Sequence, residues 1–298
     1  RSPSRGLGDV YKRQPLEAMF NSSFIVRAFH VVATAGMTMA FILAAIAAFK
    51  LLRNRHSEDR TYHKKALKMT MIVGFLSTIL SMVAGDLSAK FLHKVQPEKL
   101  AAYEWHYDTQ SHANLVFFGV LNEKTHEVSG AIEIPGLLSF LADDSFKTKV
   151  KGLNDFPKND LPPMIVHYFF DLMVSMGVFC FIISGLYMLI LFFKKLRKYK
   201  TNKAMLYAIL LTGPASLLAI EFGWFLTEMG RQPWIIRGYM RVSQAATQAG
   251  GITLVTILFG ILYLVLMVTA AYVLIRMYRN KPAYQDVDKV IEERGGTK

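Results

Sequence analysis

Three side chains within the stretch Glu221–Trp234 (EFGWFLTEMGRQPW) are of types that do chemistry together: Trp224, Glu228 and Arg231. The apolar run from Ala204 to Leu226 leads into them and is long enough to cross a bilayer. Gly230 is a candidate helix C-cap, and Pro233 lies where a finished helix tolerates proline. The C-terminal end of a helix favours cations, so Arg231 suits its position and Glu228, in the last turn, does not. A carboxylate placed there needs a partner, and a metal ion or the nearby arginine would supply one. Trp224, four residues earlier, shares the face of Glu228. An interfacial tryptophan with a snorkelling Glu–Arg pair accounts for the same residues equally well.

Other residues of ligand or proton-carrying type lie along the chain. His30 and Met173 are of the two types that form the axial pair of many low-spin haem irons. A hydrogen-bonded membrane histidine explains His30 as readily, and with 15 methionines in the chain Met173 alone reads as packing. Lys99 and Glu104 would hydrogen-bond a quinone-like head group, or else remain solvated loop charges. His167 and Asp171 are spaced i, i+4 and read as a structural pair near a membrane border.

These residues need elements to position them, and the composition says which. The chain has 298 residues, is 52% hydrophobic and has a mean hydropathy of +0.28, too apolar for an ordinary soluble domain. Five long, nearly uncharged segments meet the ~20-residue length of a spanning helix: Ala28–Phe49, Met69–Gly85 (reaching about Phe91), Leu172–Phe193, Ala204–Thr227 and Ala249–Ile275. The fold class is therefore an all-α transmembrane helix bundle. The net charge of +13 belongs to loops, and no basic run is interleaved with aromatics as in a nucleic-acid module. The single cysteine, Cys180, lies inside a span and reads as a small core residue, so disulfides and cysteine metal sites are excluded.

Lysine and arginine mark the sides. Lys50, Arg53 and Arg55, then Arg60, Lys64, Lys65 and Lys68, fall between the first two spans. KKLRKYKTNK falls between the third and fourth, and Arg276, Arg279 and Lys281 follow the fifth. Short basic loops are cytoplasmic. The long stretch His93–Leu161 and the loop Gly230–Gln248 then lie outside, and His30, Met173 and Glu228 all cluster towards that outer side. Arg231, Arg237 and Arg241 run against the charge rule and call for an explanation. Pro162 and Pro163 suit the first turn of the third span, and Ile132–Asp144 (IEIPGLLSFLADD) is an apolar patch able to lie on a membrane surface. Residues 1–14 resemble neither a signal nor a transit peptide and read as a non-native leader. The expected organisation is two spans in 15–92, an extracytoplasmic loop 93–161, three spans in 162–280 and a cytoplasmic tail 281–298. A transporter or channel without haem is the competing reading, resting on Glu221 inside the fourth span and on Pro214 as a helix break.

Four motifs, in order, resemble subunit I of the cytochrome bd-type quinol oxidases: FHVVATAG around His30, QPEKLAAYE (Gln96–Glu104), MVSMG around Met173, and GWFLTEMGRQPW (Gly223–Trp234). The resemblance implies that His30 and Met173 are axial ligands of a low-spin haem b and that Glu228 ligates a high-spin haem b. It places Trp224 between haems, Arg231 beside haem propionates or Glu228, and Lys99 and Glu104 at quinol oxidation. It further implies a third haem (d or another b) where O2 is reduced to water, a second large oxidase subunit, small single-helix subunits, and a bacterial cytoplasmic (inner) membrane location. The family has about nine helices against the five here, so the sequence reads as a C-terminal fragment of the short-loop type, inactive by itself and lacking the first four helices. Asp171 stands where some members have a basic residue, and Ser175 where the usual MVG run has glycine.

Overall fold

The computed structural model describes residues 20, 23–53, 57–122, 125–247 and 249–280. The expected leader and cytoplasmic tail lie outside them. Five helices are long and apolar enough to cross a membrane, as the sequence implies: α1 (Phe24–Arg53), α2 (Ser57–Val95), α5 (Val166–Phe192), α6 (Lys203–Met229) and α8 (Ile252–Asn280). Between α2 and α5 lie α3 (Pro97–Tyr103), strands β1 (Leu115–Phe117), β2 (Val120–Asn122), β3 (Glu127–Ser129) and β4 (Ile132–Ile134), and α4 (Leu137–Asp143). Between α6 and α8 lie β5 (Trp234–Ile236), β6 (Met240–Arg241) and the single turn α7 (Val242–Ala245).

Three boundaries differ from the sequence expectation. The basic stretch Arg60–Lys68, expected as a loop, is the first part of α2, because Lys and Arg are good helix formers and nothing there breaks the ladder. Pro162 and Pro163 precede α5 instead of opening it; the Pro163 carbonyl already accepts the Val166 N–H at 3.2 Å in a turn. Pro214 leaves α6 as one continuous helix, and Glu221 is exposed on its surface. Both observations on which the transporter reading rested, a broken helix and a buried carboxylate, are thus absent.

The helices α1, α2, α5 and α6 form a four-helix bundle in which α1 packs on α2 and α6, and α5 packs on the same two. The spans α1 and α5 therefore face each other diagonally. Phe41, Leu67, Met71, Cys180, Tyr187, Leu206 and Ile209 fill the core together with Ala44, Ala47 and Ala48. Small residues matter because lipid offers helices no hydrophobic drive to associate, so close approach supplies the attraction. A Cβ on Gly213 would stand 2.8 Å from the Ala45 Cβ, so any side chain there forces α1 and α6 apart. Helix α8 stands away from this core, exposed on every side over residues 251–277.

The segment from α3 to α5 folds into small cores of its own. One joins Leu100, Ala113, Leu115, Leu138, Ala142 and Val150; the other joins Ala101, Ala102, Tyr103 and Leu153 to Val166 of α5 and Leu226 of α6. Leu138 and Ala142 are fully buried and build the loop's interior, while Ile132, Ile134 and Phe140 of the same apolar patch remain exposed. Strand β1 pairs with β4 and β2 with β3 in one shared antiparallel register. Together they make a single hairpin, interrupted where Phe118 and Gly119 face Gly130 and Ala131. Gly119 has φ +108°, and a Cβ there would lie 2.7 Å from Val128 Cγ1, so only glycine fits. Lys90 bridges Asp86 and Asp144, each at 2.7 Å, and fastens α4 to the end of α2.

Candidate functional site

Where α3 meets the ends of α5 and α6, titratable side chains are buried together. Proline at the start of α3 suits a first turn, whose N–H groups need no partner. That turn carries Lys99 and Tyr103 inward and ends at Glu104. Lys99 is 9% exposed and Glu104 only 2%, which removes the reading of both as solvated loop charges. Burial, assisted by the neighbouring Asp171 carboxylate, pushes the Glu104 carboxyl well above the usual carboxylate range; a hydrogen bond from the Val116 backbone opposes this only in part. Its Oε2 has no hydrogen-bond partner. A neutral carboxyl carries an O–H that is able to donate a hydrogen bond.

The His167–Asp171 pair expected from the i, i+4 spacing is present, with Nε2 3.2 Å from Asp171 Oδ2 and both side chains fully buried. His167 Nδ1 donates to the Tyr103 carbonyl at 2.6 Å, and Trp105 stacks on the imidazole with centroids 3.9 Å apart. Asp171 Oδ2 also accepts the Phe118 N–H at 2.6 Å. One carboxylate on α5 thus holds the kink of the hairpin, while its histidine holds the end of α3. The pair is structural, and what it structures is the surround of Glu104.

Lys99 lies in a field of charges drawn from three elements. Its ammonium sits 5.6 Å from the Tyr103 ring centroid. Its pKa is pulled down to about 8, chiefly by burial and then by Arg27 of α1 and Arg231; Glu228 and Glu98 act in the opposite direction. The tertiary structure therefore gathers Lys99, Glu228, Arg231 and Arg27 into one electrostatic neighbourhood. Glu228 and Arg231 pair at 2.8 Å, each about half exposed, and Trp224 is 64% exposed on the same outer face of α6. The remaining arginines of that loop are also explained: Arg237 pairs with Glu98 at 2.7 Å, and Arg241 pairs with Asp160 while lying over the Trp234 ring. Arg237 clamps the segment after α6 onto α3, and Arg241 clamps it onto the stretch just before α5.

His30 and Met173 occupy the diagonal helices α1 and α5, each about two turns from the end nearest α3. Both are partly buried. The His30 ring hydrogen-bonds the backbone of Ala84 on α2, which leaves one ring nitrogen for a second partner; metal-ligating histidines are held in this way. Met173 lies against Gly223, where a Cβ would be 3.2 Å from its sulfur, and one turn further on Gly177 has no heavy atom within 4 Å of such a Cβ. A donor nitrogen and a thioether thus stand on diagonal helices at similar depth, the thioether with glycines beside it, and donors of these two types suit a low-spin haem. Glu228 fits its assigned haem only in part, since its carboxylate is about half exposed and already paired with Arg231.

Tyr103, Trp105 and Arg27 were not singled out from the sequence. The only local hint was the aromatic run YEWHY, in which Glu104 sits between a tyrosine and a tryptophan. Gly230 ends α6 as expected, but in ordinary right-handed conformation. Its reason is proximity: a Cβ would lie 2.6 Å from the Tyr103 Oη.

Comparison with known proteins bears on the family and the fold. The profile of the family described as cytochrome bd terminal oxidase subunit I matches residues 5–282. The chain is 39% identical, over 94% of its length, to a provisionally named cytochrome bd menaquinol oxidase subunit I of Bacillus subtilis (strain 168). It is 30% identical, over 83% of its length, to a cytochrome bd ubiquinol oxidase subunit 1 of the same organism. The bd oxidase from Geobacillus thermodenitrificans superposes with a TM-score of 0.82 over 90% of this chain at 45% identity. The chain spans 63% and 54% of the two Bacillus proteins and 61% of the Geobacillus chain.

Proposed function

The chain belongs to the family of cytochrome bd terminal oxidase subunit I, and on that premise we propose that it oxidises quinol at the α3 end of the bundle. Its electrons would leave through a low-spin haem b held by His30 and Met173. The carrying observation is the two buried, oppositely perturbed groups, Lys99 within α3 and Glu104 at its end, on a segment packed against Met173. Quinol oxidation releases two protons and two electrons, so it needs proton acceptors matched to neutral pH. Lys99, with a pKa near 8, is deprotonated part of the time in that range and accepts a proton from the quinol oxygen it binds. It passes that proton to the outer water, which takes the second proton in the same way. Glu104, held neutral by burial, presents an O–H that orients the second oxygen. Trp105, His167 and Asp171 keep α3 and the hairpin from moving away. Bound between His30 and Met173, haem b supplies a one-electron acceptor. Arg27 and Arg231 offer cationic partners for its propionates.

The same reading extends to the complete oxidase. Trp224 and Glu228 present an aromatic face and a carboxylate on the outside of α6, so a high-spin haem b held there is enclosed by a surface other than the four-helix bundle. The oxygen-reducing haem, d or a third b, the second large subunit and the small single-helix subunits complete the assembly. The α3 end faces outward and the basic end faces the cytoplasm of a bacterial inner membrane; the lysine and arginine distribution supports the orientation and the family supports the membrane.

The test is spectroscopic. Membranes holding the oxidase with His30→Ala should lose the low-spin haem b absorbance while the protein remains present by immunoblot. An unchanged spectrum refutes the ligand assignment.

A further inference from the structure

The bundle end opposite α3 carries a cavity of about 220 Å³ that none of the quinol or haem residues lines. Lys64 and Lys68 stand one turn apart on α2. Tyr187 and Leu191 stand one turn apart on α5, and Arg197 and Lys200 come from the helical turn that follows it. Tyr187 is 1% exposed and belongs to the bundle core, so the wall it forms is rigid. Arg197 Nε–H donates to the Leu191 carbonyl at 3.1 Å, which fixes the guanidinium at the rim and leaves its terminal NH2 groups for another partner.

All the charged residues of the lining are basic, and among the described residues no carboxylate is ion-paired with Lys64, Lys68, Arg197 or Lys200. Four cations around one hollow repel each other unless an anion lies between them. The hollow lies where two spans end, at headgroup depth. Just along the same helices Met69 and Phe192 are 67% and 78% exposed, an apolar track for an acyl chain. Basic pockets between membrane helices suit anionic headgroups. We propose that this cavity binds the phosphate of an acidic phospholipid, with Arg197 and the two α2 lysines donating to its oxygens and the chains lying along α2 and α5.

The test uses the intact oxidase, stripped of lipid in detergent and titrated with phosphatidylglycerol, phosphatidylcholine or inorganic phosphate, with bound adducts read by native mass spectrometry. The wild type should prefer phosphatidylglycerol to phosphatidylcholine. Lys64→Gln with Arg197→Gln should weaken phosphatidylglycerol binding about 25-fold, roughly five-fold for each charge removed. Lys195→Gln with Lys198→Gln, matched in charge but outside the lining, should leave it unchanged. Equal weakening in the control pair, or no preference in the wild type, overturns the proposal. Binding of inorganic phosphate without binding of phosphatidylglycerol overturns the headgroup assignment and places a free anion there.

Discussion

Replacing Gly230 by alanine tests the contact between the quinol helix and the end of α6. The new Cβ would stand 2.6 Å from Tyr103 Oη and 2.8 Å from its Cε1, both far inside van der Waals contact. Tyr103 cannot simply step aside, because its ring is 5% exposed and stacks on Phe170 with centroids 6.0 Å apart. Overpacking of this kind costs about 1–3 kcal/mol. Moving the ring also removes the 3.2 Å hydrogen bond from Tyr103 Oη to the Leu226 carbonyl, worth about 1 kcal/mol. The sum, roughly 2–4 kcal/mol, should lower the Tm of the purified oxidase by roughly 5 °C or more in a thermal scan followed by tryptophan fluorescence. Tyr103→Phe loses only the hydrogen bond, about 1 kcal/mol. The double variant should be less damaged than the two single effects added, since the hydroxyl that collides is gone. A Gly230→Ala protein that melts with the wild type, or strict additivity in the double variant, would refute the packing described.

Two further outcomes follow from the buried charges. The Lys99 pKa of about 8 lies below the 10.5 of a free lysine, so between these values the unfolded chain binds more protons and stability rises with pH. Lys99→Met should therefore be more stable than the wild type below pH 8, by on the order of 3 kcal/mol, with the advantage vanishing by about pH 10.5; denaturation midpoints showing a constant difference across that window would count against it. Asp171→Leu strands the Phe118 N–H, a loss of about 1–3 kcal/mol for a buried donor left without its acceptor. Hydrogen exchange should accelerate at the Phe118 amide and in α3, and protection equal to wild type would exclude the clamp.

Much of this architecture is written in local composition. Five apolar runs of spanning length specify five helices whatever surrounds them, because a bilayer leaves a backbone no other way to satisfy its hydrogen bonds. The i, i+4 spacing of His167 and Asp171 sets their contact in the same local way. The helix ends were less legible: Lys and Arg favour helix and loop alike, so Arg60–Lys68 gave no sign of belonging to α2.

What the tertiary structure decided is which charges are buried and which elements meet. Lys99 and Glu104 look the same in sequence whether solvated or enclosed; they are enclosed because α3 is pressed onto α5 and α6 by Tyr103, Leu153 and Leu226, residues 123 apart at the extremes. Arg231, Arg237 and Arg241, anomalous by the charge rule, become intelligible through Glu228, Glu98 and Asp160, two of which lie far away in the chain. The diagonal placing of His30 and Met173 follows from the order in which four helices pack. Residue type fixes what a side chain is able to do, and local pattern fixes its helix. The environment that shifts a pKa, or sets two helices on a diagonal, is made of residues distant in sequence, so only the packed chain contains it.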